Sequence, residues 1–401
     1  MNMNPLDTLD PRLLGEELKR SRRQRGLRQE DVAKLINVSR TTVVAIEQGE
    51  RRIKAEELVE LAYIYGKPVS DFLRPRRVVV PLHAAQFRGP TVQEEKYQEE
   101  IAVSISVFED LCNRYLELSQ LLKITESKRY PIPYQRSGVN LDAEAEGLAL
   151  SERSRLGLGA GPLPAIRDIL EQDVGIKVFF IPMRPGNLSG IYHFNDELGA
   201  CIAINSNHGE DRRRWTMCHD YCHFLADRYE PTVLIEDGYQ RKPASERFAD
   251  LFPKHFLLPG PSVTQRFNEI YSEQNAMTFG GLCTLAHRFG VSVEAITRRL
   301  EDLKLMKAGA WERLKDRNPS IRKTQEELGL EPLSGRDSMF PIKYHRMAYD
   351  AYRQGKISEE QLASYLHLDQ VEARKQLSAM QHGSDLVLDD EGSGSSGGLP
   401  Q

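Results

Sequence analysis

Apolar positions recur at helical spacing from the start of the chain. Leu13, Leu14 and Leu18 anchor a predicted helix over 12–25, which Gly26 can end. Val32, Ala33 and Leu35 give a second helix over Gln29–Ile36, and Val43, Val44 and Ile46 a third over Ser39–Gln48, with Ser39 as its N-cap. Asn37–Val38 leaves only a tight turn between the second and third helices. Two short helices joined in this way form a helix-turn-helix, whose second helix can enter the major groove of DNA.

Further on, Val107, Leu111, Tyr115, Leu118 and Leu122 mark a long amphipathic helix over Val103–Leu122, and Pro164–Gln172 reads as a shorter one. The pattern then changes period. Gly175–Pro182, Ser189–His193 and Gly199–Asn205 are short β-branched or aromatic runs, predicted as strands, the last two joined by a turn at Asn195–Asp196. A helix follows from about Asp211. The order helix, three strands, helix predicts an α+β domain with a small sheet. Residues 339–377 read as two or three short helices broken near Gly355, with Ser358 and Gln361 spaced as a capping box.

Three breaks divide this pattern: Pro75 with Arg76 and Arg77, the proline-bearing stretch 124–138, and an acidic then Gly/Ser-rich tail from about Gly383. The expected organisation is a DNA-binding domain over 8–77, a helical linker region over 78–138, an α+β domain over 139–310, a small helical module over 311–382 and a disordered tail over 383–401.

Charge sharpens this division. The chain carries a net charge of −4, yet residues 11–77 have about +6 and the remainder about −10. One end suits a polyanion. Arg40, Thr41 and Thr42, with Gln29 on the preceding helix, can point outward to base edges: Arg to guanine, Gln to adenine, Thr to the thymine methyl. Arg22, Arg23, Arg51 and Arg52 suit phosphates. The string LRQEDVAKLINVSRTTVVAIEQGERRI closely resembles the lambda-repressor-like (XRE-type) helix-turn-helix family. The resemblance implies an all-α domain binding a double-stranded DNA operator, and homodimerisation is expected because such proteins meet two half-sites. Five scattered cysteines form no disulfide framework, no apolar run suits a membrane span, and no secretory signal opens the chain. A cytoplasmic location is expected.

The sharpest chemistry lies in WTMCHDYCHFLAD, residues 215–227. His219 and His223 stand four apart on a predicted helix, so both imidazoles share one face and can hold one metal ion. Cys218 and Cys222 are each offset by about 100° from the neighbouring histidine, and read as packing residues. Zinc peptidases use H-E-x-x-H, in which the glutamate is the general base. Here Asp220 takes that place. With the later ASERFADLFPKHFLLP, the approach CIAINSN…RRRWTM and LAHRFGVSVEAITRRLEDLKLM, the segment over about 160–306 resembles the ImmA/IrrE family of zinc metallopeptidases. The resemblance implies a zincin-like fold, Zn2+ held by His219, His223 and Glu246, and Asp220 as the catalytic base. Family members often carry a helix-turn-helix in the same chain, and known functions include cleaving repressor proteins to switch on stress or mobile-element genes.

Two functions follow as expectations. One is a transcription regulator that cleaves a protein substrate, either a repressor or the chain itself. The other is a non-catalytic repressor or antitoxin-like regulator using the fold as a sensor or dimerisation unit. Asp220 bears on the choice, since it is one methylene shorter than glutamate, and a misplacement of about 1 Å can lose roughly a hundredfold in rate. His193, Tyr221, His255 and His287 are candidates for stabilising a tetrahedral intermediate.

Overall fold

The computed structural model describes residues 10–67, 69–73, 95–125, 130–235, 242–317, 319–333, 335, 337–369 and 371–375. The break at Pro75–Arg77, part of the stretch 124–138, and the tail from Gly383 lie outside them.

Among the described residues the first five helices are α1 (Pro11–Gln24), α2 (Gln29–Leu35), α3 (Arg40–Glu47), α4 (Ala55–Tyr65) and α5 (Val69–Phe72). Asp10 caps α1 through the Arg12 amide, and Ser39 caps α3 through the Thr42 amide. Each supplies an acceptor to an amide that the helix leaves unpaired. Leu14, Leu18, Val32, Ala33, Ile36, Val43 and Ile46 form the core with α4 and α5 residues such as Leu58, Leu61 and Phe72. Two expected anchors point elsewhere: Leu13 and Leu35 are exposed. In each case a neighbour, Leu14 or Ile36, holds the buried position. Adjacent helical residues are turned about 100° apart and cannot both face one core.

A second layer begins with α6 (Glu95–Leu121) and α7 (Leu141–Arg155). A short turn, α8 (Ile166–Asp168), widens into a π-helix over Ile169–Val174 that ends at Gly175. Four strands follow with an intervening helix: β1 (Lys177–Ile181), β2 (Leu188–Asn195), β3 (Gly199–Asn205), α9 (Glu210–Ala226) and β4 (Thr232–Ile235). The sheet runs β1-β3-β2-β4; β1 and β3 are parallel and the other pairs antiparallel. The expected three strands are all present. β4 is an addition, too short to show periodicity.

β1, β2 and β3 each serve two cores. Val178, Phe180, Tyr192, Ala200, Ile202 and Ile204 face α9, whereas Phe179, Ile181, Ile191, Cys201 and Ala203 face the opposite way. The first face is covered by α7, α9 and the helices α10 (Ala244–Leu257), α11 (Gly260–Gln274), α12 (Phe279–Phe289) and α13 (Val293–Asp302). After α14 (Ala310–Arg317) and α15 (Ile321–Glu327), the chain returns to the other face as α16 (Ile342–Arg353) and α17 (Glu359–Leu366), which pack there with α6. On the way, Met339 accepts from the Phe180 amide at 2.9 Å, so residues 338–340 run along the outer edge of β1. Ser358 and Gln361 form the expected capping box on α17. The chain thus folds as a helical DNA-binding-type region, an α/β domain with a four-stranded sheet, and further helices. Among the described residues, no helix is long and apolar enough to cross a membrane.

Candidate metal centre and helix-turn-helix

On α9, His219 and His223 lie one turn apart, and their Nε2 atoms approach to 3.1 Å. α10 packs against α9 and brings Glu246, in its first turn, to this pair. Glu246 Oε2 is 3.4 Å from His219 Nε2, and Oε1 is 3.3 Å from His223 Nε2. Both histidines are buried and Glu246 is half-buried. Three donors converge on one point, and among the described residues this is the one group of three or more His, Cys, Asp or Glu so arranged. Two imidazoles and a carboxylate form a donor set that zinc accepts while keeping a further position open.

The outer nitrogens are also matched. His219 Nδ1 lies 3.2 Å from Asp250, one turn beyond Glu246 on α10, and His223 Nδ1 lies 3.4 Å from Asp227 at the end of α9. Asp250 is paired with Lys242 at 2.8 Å, and Asp227 takes two bonds of 2.6 Å from Arg136. A carboxylate this close favours the proton on Nδ1 and turns the Nε2 lone pair inward, although at 3.4 Å His223 Nδ1 makes no hydrogen bond among the described residues. Charge follows the same plan. Burial opposes a charge on His219, but Asp250, Glu246 and Asp220 prevail and raise its pKa to about 9. Burial likewise opposes charge on Glu246, yet the two histidines hold its carboxyl well below the usual range. These are the shifts of the metal-free chain. A divalent cation competes for the same nitrogens and displaces their protons.

Asp220 follows His219 on α9 and is fully buried, with neither carboxylate oxygen hydrogen-bonded among the described residues. Burial pushes its pKa up to about 7, only partly countered by His219 and His223. It sits tightly against β2: a methyl group built on Gly190 would lie 2.6 Å from Asp220 Oδ2 and 2.8 Å from Thr216 Cγ2. Register shifts between Leu188 and Gly190 at this point. A glycine inside a strand is the sequence sign of such a close approach, and Gly190 was the available clue.

The four suggested helpers are elsewhere. His193 is buried on β2 opposite Cys201, whose side chain belongs to the core on the α6 face. Tyr221 donates to Glu152 at 2.5 Å within the core. His255 is bonded to Asp142 and His287 to the Glu331 carbonyl. Cys218 and Cys222 are buried among apolar residues, as packing cysteines are. Asp227 and Asp250, which the sequence reading did not single out as outer partners, stand four residues beyond His223 and Glu246. That spacing was the signal that could have found them.

At the N-terminal end, Arg40 and Thr41 of α3 are exposed and Thr42 is half-buried. Ser39 Oγ lies 2.7 Å from Thr41 Oγ1 and 2.8 Å from Thr42 Oγ1, so both hydroxyls are held at the helix start. Gln29 donates to Glu47 at 2.8 Å. Arg51 is paired with Glu57 at 2.8 and 3.1 Å, while Arg52 and Arg23 are exposed. Arg22, expected among the phosphate contacts, is instead buried. Its Nε and Nη2 donate to Glu47 at 2.5 and 3.1 Å, and its Nη1 to the Leu27 carbonyl at 2.7 Å.

Against known proteins, residues 13–72 match a helix-turn-helix domain and residues 171–301 match the IrrE N-terminal-like domain. No curated protein matches the chain. Among solved structures, the chain is similar to Bacillus thuringiensis PlcR in complex with the peptide PapR7 and DNA. The identity is 9%, covering 94% of this chain and 99% of that one, with a TM-score of 0.16. A score that low carries no argument.

Proposed function

We propose that this chain, a helix-turn-helix domain joined to an IrrE N-terminal-like domain, is a DNA-binding regulator whose second domain is a zinc peptidase acting on a repressor-type protein or on the chain itself. The observation that carries the reading is the convergence of His219, His223 and Glu246, each histidine backed by its own carboxylate.

Zinc held by those three side chains would supply Lewis acidity and a nucleophile active near neutral pH. The rest is work for the chain itself. Asp250 and Asp227 hold the two rings in the tautomer that leaves Nε2 free. A carboxylate oxygen of Asp220 takes the proton of the attacking water and delivers it to the leaving amine. Among the described residues neither of its oxygens has a hydrogen-bond partner, which leaves it available for that transfer. Gly190 gives the carboxylate its space. On DNA, Arg40, Thr41, Thr42 and Gln29 face the bases, and Arg51 and Arg52 the phosphates, with two copies meeting two half-sites.

Zinc content of the purified chain beside His219→Ala tests the site: about one zinc per chain, lost in the variant, is expected. No zinc in either protein after metal-replete purification would end the peptidase reading. The second reading, a regulator that uses this fold as a sensor or dimerisation unit without catalysis, is favoured by the short, sheet-packed side chain of Asp220. Asp220→Glu separates the two. A gain in cleavage of a co-encoded repressor identifies an attenuated peptidase, and no cleavage by either form favours the sensor.

A further inference from the structure

The helix-turn-helix domain does not merely precede the rest of the chain; it is docked on it through a buried charged junction. Arg114 on α6 is 4% exposed and reaches three elements. Its Nε donates to Asp110 on the same helix at 2.7 Å. Its Nη2 donates to Asp71, on α5 of the DNA-binding domain, at 3.3 Å. Its Nη1 donates to the Ser364 carbonyl on α17 at 3.0 Å and to Ser364 Oγ at 3.2 Å. Ser364 Oγ in turn donates to Asp71 Oδ2 at 3.1 Å, closing the ring. Nearby, Gln24 on α1 donates to the Ser106 carbonyl of α6 at 3.2 Å, and Arg20 lies 3.8 Å from Glu109.

We infer that α17 is a clamp for the DNA-binding domain: the partner of the C-terminal helical module is the chain's own helix-turn-helix, fixed through Asp71, Arg114 and Ser364. The chemistry selects this occupant. A buried guanidinium requires anionic and carbonyl partners in fixed positions, and one of its carboxylates comes from the DNA-binding domain. Without Asp71 the junction keeps one carboxylate and one hydroxyl facing a vacated surface, so the docked arrangement is the one in which every member is satisfied. Docking uses α1 and α5, and it leaves Arg40 and Thr41 on α3 exposed. The chain therefore binds DNA in the docked state, carrying the sheet and its metal centre as one body. This conclusion is independent of whether that centre is catalytic.

The test is a distance measurement in the full chain between spin labels at Tyr63→Cys and Leu150→Cys, two exposed positions on α4 and α7. The described native cysteines are all buried, which favours selective labelling. The expected result is a single narrow distance that persists when a DNA duplex is added. Asp71→Lys, which sets a cation against Arg114, should replace it with a broad distribution while duplex binding at low salt is retained. Should Asp71→Lys abolish duplex binding through misfolding, Ser364→Ala carries the test, and a second, longer distance is expected. A broad distribution in the unmodified chain, a narrow distance that moves on DNA, or an unchanged narrow distance in both variants would each overturn the clamp.

Discussion

Arg22 offers a decisive check on how the DNA-binding domain is built, because two readings of it predict opposite results. As a phosphate contact, its loss would leave the fold intact and weaken DNA binding, lowering the slope of log affinity against log salt by about 0.9. The structure places it in the core instead, forked on Glu47, with its third bond on the carbonyl of Leu27 at the α1–α2 turn. Arg22→Met leaves Glu47 buried and still accepting from the Gln29 amide at 2.8 Å. Breaking a buried pair from one side costs about 3–5 kcal/mol. At roughly 1.4 kcal/mol per factor of ten, the open form of the domain should then rise by about a hundredfold or more.

Amide exchange on α1–α4 in the full chain reads this directly. Protection is expected to fall by that factor in Arg22→Met. In Arg22→Met with Glu47→Leu it should recover to within about 1.5 kcal/mol, because removing both charges removes the unpaired one; the half-buried Gln29 can turn to water. If Arg22→Met keeps full protection and the salt slope drops by about one phosphate, the buried fork is not what holds the domain, and the reasoning fails.

Other consequences are smaller or more local. Asp227→Asn and Asp250→Asn should each weaken zinc retention about 10–100-fold against a competing chelator, since outer partners set the tautomer of the ligating rings; unchanged retention would mean that the histidines are oriented by packing alone. Gly190→Ala forces a methyl group to within 2.6 Å of Asp220 Oδ2 and 2.8 Å of Thr216 Cγ2, so the chain should lose about 1–3 kcal/mol of stability, seen as a lower melting temperature. A melt identical to that of the parent chain would show that the strand and α9 can separate at no cost.

The elements most legible in the sequence were those governed by local rules. Ser39 marked the start of α3 and Ser358 with Gln361 that of α17, because a cap is chosen by residues three apart. The pair His219 and His223 was readable for the same reason, being one helical turn apart. Which of two adjacent leucines faces the core was less legible: the pattern admitted Leu13 beside Leu14, and one rotation had to be chosen. Arg22 was misread because composition counts a charge without its partner. Glu47, 25 residues away, turns that charge inward. The docking of the first domain was equally hidden, since Asp71, Arg114 and Ser364 carry no common pattern and meet only after folding.

His193 shows how sheet geometry decides what residue chemistry leaves open. As a histidine near the candidate zinc ligands in sequence, it was a reasonable helper for a tetrahedral intermediate. On β2, however, side chains alternate between the two faces. Gly190 lies against Asp220, and Tyr192 joins the core beneath α9. Ile191 belongs to the opposite core, and His193 shares its parity. Burial accordingly depresses the His193 pKa to about 4, and neither ring nitrogen has a hydrogen-bond partner among the described residues. The same alternation lets one strand support the candidate metal site on one face and the α6–α16–α17 layer, against which the DNA-binding domain packs, on the other. A single-residue slip of β2 would exchange those assignments, so the placement of Gly190 opposite Asp220 and the anchoring of the DNA-binding half depend on one register.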